Sequence, residues 1–302
     1  MSRPAQSGPS RLRWSESRRF IGSGGITLAA DTCGDPAAPP VLLLHGWGQT
    51  RHAWGDTLRE LGDRGWHAIS LDLRGHGESD WPEDGSYGLE DFARDLLVVI
   101  DQLPAPPALV GASLGGISSL LVTTLREEPV ASRLVLVDIT PRVEAAGAWR
   151  VLEFMRQGAD GFDTPDDAAS AVADYLPHRR RPASAEGLQR NLRRTEDGRY
   201  RWHWDPRFLE DPWFAPKDVE ELERVTARTR ERLLDVASRL EIPTLLVHGR
   251  LSDIVTDDTA QEFLDIAPNA AYVDVSGAGH MVAGDVNDAF TEAVITFLRE
   301  GN

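Results

Sequence analysis

The sequence predicts an α/β protein: a mostly parallel sheet of eight strands flanked by helices, with a helical segment inserted at residues 140–240. Three observations predict it. Short apolar runs bounded by proline or glycine, such as Val41-Leu42-Leu43-Leu44 and Leu245-Leu246-Val247, have the composition of strands buried on both faces. Longer amphipathic runs alternate with them, which is the pattern of a sheet built from βαβ units. Finally, the strand-like run at 108–111 passes through Gly111-Ala112-Ser113-Leu114-Gly115 straight into a helix-like run at 117–126.

Taken in order, residues 13–20 and 26–33 read as two strands joined by the turn Gly22-Ser23-Gly24-Gly25. Residues 41–44 form a buried strand that ends in His45-Gly46-Trp47-Gly48. A helix at 54–64 and a strand at 67–71 lead to Asp72-Leu73-Arg74-Gly75-His76-Gly77-Glu78-Ser79. This string is dense in turn formers and charges and reads as an ordered surface turn held by Asp72 and Arg74; Asp72 and His76 lack a third partner for a metal site. A helix at 89–103 stops at Pro104, the glycine-flanked strand and helix follow, and residues 133–138 form another buried strand.

The alternation stops at Ile139. Helical pieces at 145–157, 164–176 and 218–238 are separated by loops carrying Pro177, Pro182, Pro206 and Pro212. Aromatic residues concentrate here, and arginines cluster at 179–181 and at Arg193, Arg194, Arg199 and Arg201, where they read as solvated or paired with local acids. The segment reads as a cap, 140–240, set into a core formed by 1–139 and 241–302, with 1–13 a loose tail. The sheet resumes with strands at 243–249 and 271–275 around a helix at 256–266. A last helix runs over 286–298, with Asp285 as its N-cap.

Composition narrows the function. The 302 residues carry a formal net charge of −16, which argues against nucleic acid and anionic membrane surfaces as partners. Cys33 is the only cysteine, so neither an intrachain disulfide nor a thiolate zinc cluster is expected. The single lysine, Lys217, lies in a polar stretch, a poor setting for a Schiff base. The first twenty residues are polar and arginine-rich and no apolar run approaches the roughly 18 residues of a membrane span, so a cytoplasmic enzyme is expected. The composition favours a neutral or apolar small molecule as substrate; no cofactor is called for, and oligomeric state is unread.

The chemistry is carried by three positions. Gly111, Ser113 and Gly115 fit the Gly-x-Ser-x-Gly elbow, in which a strand reverses into a helix, the serine at the apex is strained, and its neighbours crowd too closely for a Cβ. The N–H of Leu114 then lies at a helix N-terminus, where free donors favour an oxyanion. A serine hydroxyl needs a base to take its proton, and the base needs a carboxylate to fix its tautomer. Ser113, Asp253 and His280 each stand on a loop just after a predicted parallel strand, on the edge where such sheets carry their sites.

With these strings in place, the chain from about Phe20 onward resembles the α/β-hydrolase fold superfamily in its cap-bearing branch. The matching strings are His45-Gly46-Trp47, Asp72-Leu73-Arg74-Gly75-His76-Gly77, Gly111-Ala112-Ser113-Leu114-Gly115-Gly116, His248-Gly249…Asp253 and Gly279-His280. The resemblance implies Ser113 as nucleophile, His280 as base, Asp253 as acid, and the N–H groups of Trp47 and Leu114 as oxyanion donors. Asp138, which also ends a strand, competes with Asp253 for the acid, since some members of the superfamily place it there; the strand-turn-Asp string at 253 matches the commoner arrangement. Asp274, within a strand, reads as structural, and His45 as a histidine bonded to loop backbone. Trp47, Trp149, Phe154, Trp204 and Met281 are the candidate walls of a substrate pocket.

Serine at the elbow argues against the epoxide hydrolases and haloalkane dehalogenases, which use aspartate there. The expected reaction is hydrolysis of a carboxylic ester or lactone with an apolar or aromatic portion. Rival readings are a cofactor-free perhydrolase, a hydrolase of carbon–carbon bonds in diketone-like compounds, and a hydrolase-like receptor that binds a small molecule without turnover.

Overall fold

A computed structural model describes residues 16–176, 187–211, 214–280, 282 and 287–300 of the chain. The loose-tail expectation, the arginines at 179–181, Met281 and Asp285 lie outside these residues. The strands are β1 (Glu16–Ile21), β2 (Thr27–Cys33), β3 (Pro40–Leu44), β4 (His67–Leu71), β5 (Ala108–Ala112), β6 (Arg133–Val137), β7 (Leu192–Arg194), β8 (Tyr200–Trp202), β9 (Thr244–Gly249) and β10 (Ala270–Val275). Eight of them form one sheet in the order β1-β2-β4-β3-β5-β6-β9-β10. β1 and β2 pair antiparallel, as does β2 with β4, and every pairing from β4 across to β10 is parallel.

The apolar runs at the centre of this sheet are continuous because both faces are covered. In β3, Leu42 and Leu44 join one core and Val41 and Leu43 the other, as a side-chain period of two requires. Leu58 and Leu61 of α1 (Gly55–Asp63) and Phe290 and Val294 of α8 (Asn287–Arg299) pack on the Val41 side. The opposite face is covered by α2 (Leu89–Ile100), α3 (Leu114–Val122) and α7 (Asp257–Ile266), through Phe92, Leu120 and Phe263. α3 starts at Leu114, three residues before the sequence reading, because Ser113 is itself the N-cap and no linker separates strand from helix.

The described residues of 140–240 contribute no strand to this sheet. Among the described residues they hold α4 (Ala145–Gln157), α5 (Pro165–Tyr175) and α6 (Val219–Ser238), close to the predicted helices, together with the β7–β8 hairpin. The hairpin is a departure from the sequence reading. Its arginines hide the pattern: Leu192 and Trp202 face each other across it and are buried, while Arg193 lies over Trp81 with its guanidinium 4.0 Å from the ring. Arg199 and Arg201 pair with Asp163 and Asp197.

The turn at 72–79 is buried rather than superficial. Asp72 is fully enclosed, accepting from the backbone N–H and guanidinium of Arg51 and from Glu78 N–H. Arg74 and Asp95 form a bidentate ion pair, both oxygens at 2.7 Å, with both side chains buried.

Candidate active site

The site is built on the carboxyl ends of β3, β5, β6, β9 and β10. Between β5 and α3 stands Ser113 alone, at φ 47° and ψ −114°, a conformation that L residues rarely adopt. Gly115 is obligatory here, since a Cβ on it would overlap the carbonyl of Leu44. A Cβ on Gly46 would lie 3.2 Å from the Cβ of Ser113, so the loop after β3 passes directly over the nucleophile.

Asp138 follows β6 and is the second non-glycine residue at positive φ, 49°, among the described residues. Its carboxylate is completely buried and accepts three hydrogen bonds. Gly249 N–H donates to Oδ1 at 2.9 Å, while His280 Nδ1 at 2.7 Å and the Ser252 hydroxyl at 2.5 Å both meet Oδ2. Donation from Nδ1 leaves Nε2 of His280 as the ring's basic nitrogen, the tautomer needed to accept a proton from a serine. His280 and Ser113 line the same cavity.

Asp253, the expected acid, does not meet the histidine. Its carboxylate pairs with Arg150 on α4, and the two side chains are 41% and 52% exposed. The reason lies in the loop after β9. Ser252 turns inward to Asp138 and accepts the N–H groups of Ile254 and Val255, which directs the next side chain outward. Backbone packing holds it there, because Gly147 of α4 rests so close to the Asp253 carbonyl that a Cβ would overlap it. Asp274 bonds Tyr272, His248 and Arg250, away from these groups.

The loop after β3 is braced by two buried histidines. His45 Nε2 accepts Leu73 N–H at 3.0 Å and its Nδ1 faces the Gly46 carbonyl at 2.8 Å. His76 Nε2 accepts Gly48 N–H at 3.2 Å and its Nδ1 faces the Arg74 carbonyl at 2.9 Å. Both rings are therefore neutral and protonated at Nδ1, and burial pushes both pKa values down, that of His76 far down. Gly46 N–H is taken by Gln49 Oε1 at 2.9 Å. Among the described residues, the N–H groups of Trp47 and Leu114 meet no protein acceptor. His45 fits the sequence reading; His76 and Gln49 were not anticipated, since a histidine in a charged turn gives no sign of the amide it will reach.

A cavity of about 1210 Å³ opens over Ser113. Trp47 and Phe154 line it. Trp149 and Trp204 do not: Trp149 lies under the Arg156 guanidinium, and Trp204 is buried behind Trp47 with the rings 5.9 Å apart. The missed walls include Ala148, Val151, Leu152 and Met155. Their spacing on α4 is the signal available in the sequence, one helical face that excludes position 149. Tyr175 of α5 also lines the cavity, stacked on Phe154 at 4.5 Å, and burial raises its hydroxyl pKa to about 12.

A strained serine between strand and helix, a histidine oriented by a buried carboxylate, and a cavity over both define an α/β hydrolase. Residues 39–285 match the family model described as the alpha/beta hydrolase fold, and the chain belongs to that family and is a hydrolase. It is 31% identical over 266 residues to Esterase Rv0045c of Mycobacterium tuberculosis, spanning 85% of this chain and 82% of that one. It is also similar to mouse sn-1-specific diacylglycerol lipase ABHD11, at 27% identity over 88% of this chain and 82% of the lipase. Among solved structures, E-2-(acetamidomethylene)succinate hydrolase superposes with a TM-score of 0.77 at 25% identity, covering 94% of this chain and 99% of that one. Among the described residues, no helix is long and apolar enough to cross a membrane.

Proposed function

We propose that the protein is a serine hydrolase that cleaves carboxylic esters or lactones with a bulky apolar portion. The observation that carries this reading is the Asp138–His280 hydrogen bond of 2.7 Å, set at the wall of the cavity that Ser113 also lines. The similarity to an esterase and a lipase supports the substrate class. In the proposed sequence, Ser113 Oγ attacks the carbonyl carbon as His280 Nε2 takes its proton. The tetrahedral oxyanion is met by Trp47 N–H and Leu114 N–H, and its collapse expels the alcohol, which takes the proton from His280. Water then attacks the acyl-enzyme with His280 again as base, releasing the acid and restoring Ser113. Asp138 stays ionised and stabilises the imidazolium. Residues 140–240 act as the cap, and the apolar faces of α4 and α5 receive the bulky portion.

The test is intact-mass labelling with a fluorophosphonate. One adduct is expected on the wild type, none on Ser113→Ala, and a strongly slowed adduct on His280→Ala. A Ser113→Ala variant that labels like the wild type refutes the reading.

A further inference from the structure

The hydroxyl of Ser252 has a fixed direction. A serine hydroxyl carries one proton and two lone pairs. The Ser252 oxygen accepts Ile254 N–H at 3.1 Å and Val255 N–H at 3.2 Å, which occupies both lone pairs. Its single proton is therefore committed to Asp138 Oδ2, 2.5 Å away. That same oxygen receives His280 Nδ1–H, and the other carboxylate oxygen is held by Gly249 N–H.

We infer that Ser252 is a positioning residue for the reacting histidine. Resting on the acyl-transfer reading, it acts through Asp138 and touches no substrate. Gly249 alone restrains one oxygen and leaves the carboxylate free to rock about it; Ser252 fixes the second oxygen and so the direction in which His280 is held. The loop that carries Ser252 is anchored from its other side by α4. Glu144 N–H bonds the Ile254 carbonyl at 2.9 Å, and Gly147 packs on the carbonyl of Asp253. Ile254 itself lines the cavity, so this short loop ties the substrate wall to the carboxylate that orients the base. Standing beside Asp253, the hydroxyl occupies the inward position that the sequence reading gave to the acid.

The experiment compares Ser252→Ala and Ser252→Thr in the full chain by three readouts: steady-state hydrolysis of p-nitrophenyl butyrate, the low-field proton resonance of His280 Nδ1–H, and the thermal midpoint. That resonance is assigned by its absence in His280→Ala. A hydrogen bond to a charged group sets the scale, and Ser252→Ala is expected to lower kcat about tenfold with KM within about twofold. Its low-field resonance shifts or disappears, and Ser252→Thr restores both. A Ser252→Ala variant with wild-type kcat and an unmoved resonance overturns the inference, even where its thermal midpoint falls, because the serine then only supports its loop. If the wild type neither labels with fluorophosphonate nor turns over the ester, the hydrolase reading fails, and the resonance alone still decides the role of Ser252.

Discussion

Replacing Asp138 by asparagine separates the two candidate acids, and the structure specifies how the amide must sit. At the Oδ1 position an NH₂ group would face Gly249 N–H, donor against donor, in a completely buried site. The amide oxygen must therefore take that position and the NH₂ must point at His280 Nδ1 and Ser252. Ser252 adapts only by giving up one of the amides it accepts. His280 adapts by moving its proton to Nε2, and that nitrogen then has no lone pair for the Ser113 proton. The same tautomer error in a serine-protease triad costs about 10⁴ in kcat, the handicap expected for Asp138→Asn. Asp253→Asn removes only an ion pair whose members are 41% and 52% exposed. A pair of that kind is worth at most about 1 kcal/mol, and kcat should stay within about twofold. Initial rates on p-nitrophenyl butyrate, with circular dichroism to confirm folding, decide between them. The reasoning is refuted if Asp138→Asn keeps more than about a tenth of the activity, or if Asp253→Asn is the variant that loses about 10⁴.

Two further outcomes follow from the same geometry. His45 and His76 are buried neutral, with pKa values below the ordinary 6.5, so the unfolded chain binds protons first as pH falls. The stability they contribute is whole above about pH 6.5 and is lost as pH falls toward their folded values, so the urea midpoint should drop between about pH 7.5 and pH 5, and drop less in His76→Gln; an equal drop in both proteins contradicts it. Gly115→Ala forces a Cβ into the Leu44 carbonyl and should destabilise the fold by about 3 kcal/mol or more, read as a lower thermal midpoint; a wild-type midpoint contradicts that close approach.

The strands were legible because both faces of the sheet are covered, which makes β3, β4 and β9 wholly apolar or buried runs punctuated by proline and glycine. Ser113 was legible because its backbone demands glycines on either side. The carboxylate that meets His280 was not, for a reason specific to this sheet. β6 and β9 are neighbours, with Val137 opposite Val247, so aspartates leaving either strand start beside the same histidine. The choice is made by the left-handed turn at Asp138 and by Ser252, which fills the inward position of the second loop. Neither feature has a periodicity. The β7–β8 hairpin escaped for a similar reason: its short strands carry arginines, Arg194 exposed and Arg193 and Arg201 half-buried, where alternation would have shown.

Residues 140–240 reach further than the roof of a cavity. Met155 of α4 packs so closely on Gly48 that a Cβ there would lie 2.6 Å from its methyl group. Phe214 lies 4.6 Å from the Trp47 ring and Phe208 stacks on Tyr87 at 3.8 Å. Backbone bonds complete the seam, with Gly77 N–H reaching the His203 carbonyl at 2.7 Å and Asp205 N–H reaching that of Gly75 at 2.8 Å. The turn stitched in this way carries His76, whose ring holds Gly48 N–H. The inserted segment, the turn at 72–79 and the loop proposed to bind the oxyanion are thus one packed unit. Trp204, Phe208 and Phe214 of the insertion all pack on the ring of Trp47, the residue whose amide is the proposed donor. On the proposed mechanism, substitution of Phe214 or Met155, which line the cavity and pack on this loop, is expected to change kcat as well as KM.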